Sequence, residues 1–213
     1  MYNYCMKINS LDEINKAAAL GVYNIEIALP LEAYSPEELE DVRNTLIDSG
    51  MKIVLLTSTL GADDREGLRR LFLGAHLLNV ECIMLCEASE YAFRLGENLG
   101  ISVVFENCAD DAVKGSASAG IVFDPVGYVK NKKHPFLHAF TQSHAKSRIR
   151  FLRIADALYD GTPTEPGKGS AEIKELASIL LSRSFDGYFA LREYGDVGCD
   201  VQIGYIKKVL KNM

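Results

Sequence analysis

Eight times along its 213 residues the chain passes from a short β-rich apolar run to a helix-like segment. The first run is YNYCMKI (2–8), followed by SLDEINKAAALG (10–21), where Ser10 and Glu13 have capping-box spacing and Gly21 is a stop. VYNIEIAL (22–29) precedes the clearest helix, residues 35–50: Ser35 is the expected N-cap, Pro36 the first helical position, Glu38 the box partner and Gly50 the end. MKIVLLTSTL (51–60) leads to a helix over 64–79, and VECIMLCEA (80–88) to a short helical stretch over 89–100. ISVVFEN (101–107) is followed by CADDAVKGSASAG (108–120), rich in small residues and weak as a helix. IVFDPVGYV (121–129) precedes HPFLHAFTQSHAKSR (134–148); IRFLRIADAL (149–158) precedes a polar loop (160–169) and a helix from Ser170. FDGYFALREYG (185–195) and the amphipathic helix 199–213 complete the eighth unit.

Strands that alternate with helices make a parallel sheet, because parallel neighbours need crossover connections. Eight units in so short a chain predict one compact (β/α)₈ barrel, a single domain over residues 1–213, with shortened helices after strands 4 and 5. An open doubly wound sheet is disfavoured because the first strand-to-helix junction, KINSLDE, is no glycine-rich phosphate loop. Net charge of −6 disfavours nucleic acid and anionic membranes as partners. No apolar run reaches membrane-span length, and MYNYCMKINS lacks the basic and apolar regions of a signal peptide, so a cytoplasmic protein is expected. The five cysteines, with no CxxC pair, read as reduced thiols.

In such a barrel, polar side chains at the C-terminal ends of strands point into the mouth. Period-2 alternation puts Ser102, Val104 and Glu106 on one face, Val122 with Asp124, Phe151 with Arg153 and Ala155, and Phe189 with Leu191 and Glu193. Strand 2 adds Glu26, inward or at the rim. Converging carboxylates repel one another and need a divalent cation or a basic side chain, for which Arg153 is the candidate.

The order and spacing of these segments resemble the sugar phosphate isomerase/epimerase family, the xylose isomerase-like barrels that also include endonuclease IV. GVYNIEIAL resembles its second strand, AHLLNVECIML the junction into the fourth, GISVVFEN the fifth, IVFDPVGY the sixth, FLRIADA the seventh with its His-x-x-Asp pattern, PGKGSAEIKEL the following loop and helix, and FDGYFALREY the eighth. The resemblance implies a divalent-metal site with Glu106, Asp124 and Glu193 as ligands, and a Glu106/Glu193 acid–base pair working beside a carbonyl. Two family positions differ: Arg153 stands where a histidine is usual, and Gly127 follows Asp124 by three where histidine is common. Arginine does not ligate metals, so either an all-oxygen site takes Mg²⁺ or Mn²⁺, or the Arg153 guanidinium replaces the metal and pairs with the carboxylates, which is the favoured arrangement.

Arg153 would then steady an enediolate in place of a metal. Asp124 reads as a ligand remnant or Arg153 partner. Asp156 reads first as a fixer of the seventh loop and second as a substrate contact; Glu26 is a structural or substrate-side residue. In PGKGS, the amides around Gly167 and Gly169 with Lys168 could hold a phosphate or carboxylate, or form an ordinary turn with Ser170 as N-cap. His76, His134, His138 and His144 have no metal-ligand spacing, and a nuclease role lacks its histidine cluster. The expected function is an isomerase or epimerase of a small sugar-like or hydroxycarbonyl substrate. The alternative is a non-catalytic barrel binding a small ligand or a partner protein, with a homo-oligomer open.

Overall fold

The computed structural model of the chain describes residues 2–107, 119–137 and 147–213. Cys108, His138, His144 and most of the two segments 108–120 and 134–148 lie outside the described residues. Eight parallel strands close into a barrel, the (β/α)₈ architecture that the alternation predicts. By residue contacts the chain falls into two compact units, Ile8–Gly120 and Met1–Lys7 with Ile121–Met213.

The first unit holds β2 (Asn24–Ile27), β3 (Lys52–Thr57), β4 (Cys82–Met84) and β5 (Ser102–Glu106), with α1 (Ile14–Ala19), α2 (Pro36–Ser49), α3 (Arg65–Leu77) and α4 (Glu90–Leu99). The Ser35 capping box forms in both directions: its Oγ accepts from the Glu38 N–H at 3.2 Å, and Glu38 accepts from the Ser35 N–H at 2.7 Å. That second bond holds the Glu38 carboxyl below its ordinary pKa. The expected box at Ser10 does not form. Leu11–Glu13 is a tight 3-10 turn, and Glu13 reaches past Ser10 to accept from the Asn9 N–H at 2.8 Å. The helix after β4 is ten residues long, against six in α1, and is capped by Ser89.

Register gives this unit two faces. Glu26, Leu55, Cys82 and Ser102 lie in one row, with Met84 and Val104 two residues further along their strands. Ile27, Leu56, Ile83 and Val103 form the opposite row. The second row meets the helices, since Phe105, in phase with Val103, packs edge-on against Phe93 of α4. Glu106 follows Val104 and so ends β5 on the side turned from the helices.

The second unit holds β1 (Asn3–Lys7), β6 (Gly120–Phe123), α5 (Pro125–Lys130), β7 (Ile149–Arg153), a hairpin of β8 (Asp156–Ala157) and β9 (Pro163–Thr164), α6 (Ile173–Leu181), β10 (Tyr188–Leu191) and α7 (Cys199–Lys211). Two sequence boundaries move. The run IVFDPVGYV ends as a strand at Phe123, because Asp124 caps α5 and Pro125 opens it. Ser170 is not the cap of the next helix: α6 starts at Ile173, after Glu172 in the left-handed region at φ 53°. No helix among the described residues is long and apolar enough to cross a membrane.

Helix α4 closes on β5 through Gly96, where a methyl group would sit 2.4 Å from the Ile101 carbonyl oxygen. Gly96→Ala is therefore expected to cost about 2 kcal/mol by forced overpacking, and Ser35→Ala about 1 kcal/mol by loss of the cap. Urea unfolding of both variants checks this; a Gly96→Ala protein as stable as the parent would contradict the close approach.

Candidate active site

The second unit also has two faces. Val122, Phe151 and Tyr188 share one row, with Arg153 and Ala190 paired further along it. Phe123, Leu152 and Phe189 share the other, and Tyr4 and Met6 pair with Phe189 and Leu191. The second face meets the helices: Phe123 stacks on Tyr128 of α5 with centroids 5.1 Å apart, and Lys207 of α7 lies 5.7 Å over the Tyr4 ring. The first face, turned away from them, therefore carries Asp124, Arg153 and Arg192 beyond its apolar fillers.

Arg192 was not a sequence candidate. Its guanidinium donates to Asp124 Oδ2 at 2.5 Å, and the two side chains are 19% and 8% exposed. Asp124 Oδ1 meanwhile accepts from the Val126 N–H at 3.1 Å, as the cap of α5. Arg192 is held from behind by Gln202, a fully buried residue of α7. The Arg192 N–H donates to Gln202 Oε1 at 3.0 Å, and Gln202 Nε2 donates to the Arg192 carbonyl. Beyond Arg192, Tyr194 bridges to Val197 and donates its hydroxyl to the Gly161 carbonyl at 3.3 Å.

Arg153 is fully buried at the end of β7. Glu193 is exposed and lies beyond β10, whose Phe189 and Leu191 are on the helix-facing row. The sequence reading put it inward with Phe189 and Leu191. That phase is one residue out, because Phe189, Ala190 and Leu191 are all buried. A parallel strand covered on both faces offers no polar alternation by which to choose.

Asp156, read first as the fixer of the seventh loop and second as a substrate contact, and Lys168, read as a possible anion holder, are both engaged within the chain. Asp156 is 1% exposed, and its carboxylate accepts from the N–H groups of Ala157, Gly167, Gly169 and Ala171 at 2.8, 2.8, 3.1 and 2.9 Å. The amides offered as a phosphate cradle thus hold an anion of the protein's own. Gly167 is required at φ 84°, where a methyl group would also strike the Tyr205 ring at 2.5 Å. Burial, with the nearby Asp156 and Glu175 carboxylates, raises the Tyr205 pKa, so its phenol stays protonated. Lys168 is exposed and pairs with Glu165 at 2.9 Å. In the other unit, Glu26 is fully buried in β2 and Glu106 is exposed at the end of β5.

No family model matches the chain, and no curated protein matches it. Solved structures do. A xylose isomerase-like TIM-barrel protein of Mycobacterium smegmatis in complex with magnesium superposes with a TM-score of 0.74 at 14% identity, covering 99% of this chain and 96% of that one. A D-tagatose 3-epimerase-like protein gives 0.71 at 17% identity, covering 97% of each chain. A sugar phosphate isomerase/epimerase of Parabacteroides distasonis gives 0.66 at 13%, covering 99% of this chain and 93% of that one. The chain has the xylose isomerase-like TIM-barrel fold.

A divalent cation, which this fold family implies, does not fit the residues of the second unit. Both oxygens of Asp124 are engaged, one by a guanidinium already supplying the positive charge, and Arg153 shares that face. Among the described residues no three His, Cys, Asp or Glu side chains are grouped as a metal site needs.

The signal for Gln202 was present in the sequence. Cys199, Ile203, Ile206 and Leu210 form the buried stripe of α7, and Gln202 is the polar residue within it. Gln202→Leu strands both Arg192 backbone groups and is expected to cost about 2 to 4 kcal/mol. Asp156→Asn, which replaces an acceptor oxygen among four donors, is expected to cost a similar amount, roughly 3 kcal/mol. Thermal and urea unfolding measure both, and a loss below about 0.5 kcal/mol in either would contradict its bonds.

Proposed function

We propose that the protein is an isomerase or epimerase of a small sugar-like hydroxycarbonyl, in which guanidinium groups supply the positive charge that a divalent cation supplies in related barrels. The observation that carries this reading is the Arg192–Asp124 ion pair. Proton removal beside a carbonyl builds negative charge on oxygen, and a fixed N–H donor stabilises it without a metal. Arg192 and Arg153 are the candidates for that donor. A carboxylate takes the proton from C2 and the carbonyl oxygen at C1 becomes the enediolate oxygen; a proton passes from the C2 hydroxyl to that oxygen, and the carboxylic acid returns its proton to C1, which leaves the carbonyl at C2. Glu106 is the proposed proton carrier. Glu193, its expected partner, is exposed beyond the end of β10. One carrier suffices for a 1,2-shift on a single face of the enediolate, so aldose–ketose isomerisation is favoured over a two-base epimerisation.

The same position of Glu193 favours a second reading, a barrel that binds a sugar-like ligand without turning it over. Solvent deuterium incorporation separates the two. The EDTA-treated protein in D₂O is expected to label C1 or C2 of a substrate within a panel of aldoses and ketoses, and Glu106→Gln to slow labelling about a hundredfold or more. Labelling that appears only on adding Mn²⁺ would sink the guanidinium reading. Binding without labelling across the panel would establish the second.

A further inference from the structure

Beyond Arg192, two cations of the second unit lie close to one aromatic ring. Lys130, the last residue of α5, places its Nζ 5.3 Å from the centre of the Tyr194 ring, and the Arg192 guanidinium carbon lies 5.7 Å from the same centre. Two cations on one ring repel each other, while the ring attracts each by only about 0.5–1 kcal/mol at an exposed position. Asp124 answers Arg192. Lys130 is exposed and has no carboxylate partner among the described residues.

These groups are held in place. Gln202 pins the Arg192 backbone, and the hydroxyl of Tyr194 is tied to Gly161. The Lys130 stem runs beside Gly161, where an added methyl group would lie 3.6 Å from Lys130 Cγ. A rigid ring with a cation at each of two positions loses little side-chain freedom when an anion arrives.

We propose that Lys130, Arg192 and Tyr194 form a receiving site for the anionic group, a phosphate or a carboxylate, of the small molecule that this protein handles. This deepens the isomerase reading, on which it rests, by making the substrate a phosphate ester or a sugar acid. The guanidinium offers planar paired donors to either anion, and the ammonium adds a point charge.

Isothermal titration of the full-length protein at low salt, with inorganic phosphate, D-gluconate and neutral D-arabinitol as probes, tests the site. Saturable binding of phosphate or gluconate but not arabinitol is expected, weakening as salt is raised. Tighter phosphate binding assigns a phosphate ester, and tighter gluconate binding a sugar acid. Lys130→Gln, at an exposed helix end, should weaken binding roughly fivefold or more. Lys133→Gln, a nearby exposed lysine, should leave it unchanged. Absence of saturable anion binding, or equal binding by Lys130→Gln and the parent, overturns the proposal. The titration needs no turnover, so a protein that binds anions yet labels neither neutral sugars nor their phosphate esters and acids fails the isomerase reading alone. One that labels neutral sugars without binding anions fails the anion site alone.

Discussion

Arg192 reaches Asp124 because its backbone is gripped from the opposite side. The strand β10 ends at Leu191, and the next residue would ordinarily leave its N–H and carbonyl to solvent. Gln202 satisfies both at once from within the buried stripe of α7. A primary amide suits this task, since it carries a donor and an acceptor side by side and matches the two groups of one residue. Alternation along the strand then sends the side chain of residue 192 away from the helices, toward Asp124. The ion pair in turn fixes the carboxylate that caps α5. A single buried glutamine thereby links α7, β10, β6 and α5.

The carboxylates of this barrel have divided their labour. Asp156 is consumed by four backbone amides and organises the loop carrying Gly167 and Gly169. Asp124 is consumed by a helix start and a guanidinium. A metal ion placed at Asp124 would have to displace a charged hydrogen bond in a largely dehydrated setting, where such bonds are strong. Cationic charge there is a permanent part of the covalent chain, independent of metal supply.

The fold was legible because it is written in periodicity that eight units repeat. Caps with local chemistry, such as Ser35 with Glu38, were legible as well. Those whose outcome depends on turn geometry were not: the spacing of Ser10 and Glu13 is correct, yet a 3-10 turn sends Glu13 to Asn9 instead. At the site, Arg153 could be placed because the exposed Arg150 marks the phase of β7. Glu193 could not, because three successive buried residues before it erase the phase. Arg192 and Gln202 escaped for a different reason. Gln202 stands out as the polar residue in the apolar stripe of α7, but its pairing with Arg192, ten residues earlier at a strand end, is encoded in no local pattern.

A guanidinium and a divalent cation reward different ligands. A divalent ion binds oxygen atoms in several directions at once, so it can chelate adjacent hydroxyl and carbonyl groups of a neutral sugar. A guanidinium offers donors in one plane and cannot shed a proton, so it binds best to a group with two coplanar or equivalent oxygens and a negative charge. Replacing one by the other on the same scaffold moves the basis of selectivity from hydroxyl geometry toward charge. On the proposed reading, Arg192 with its backbone clamp, followed two residues later by Tyr194 with Lys130 over its ring, supplies that charge.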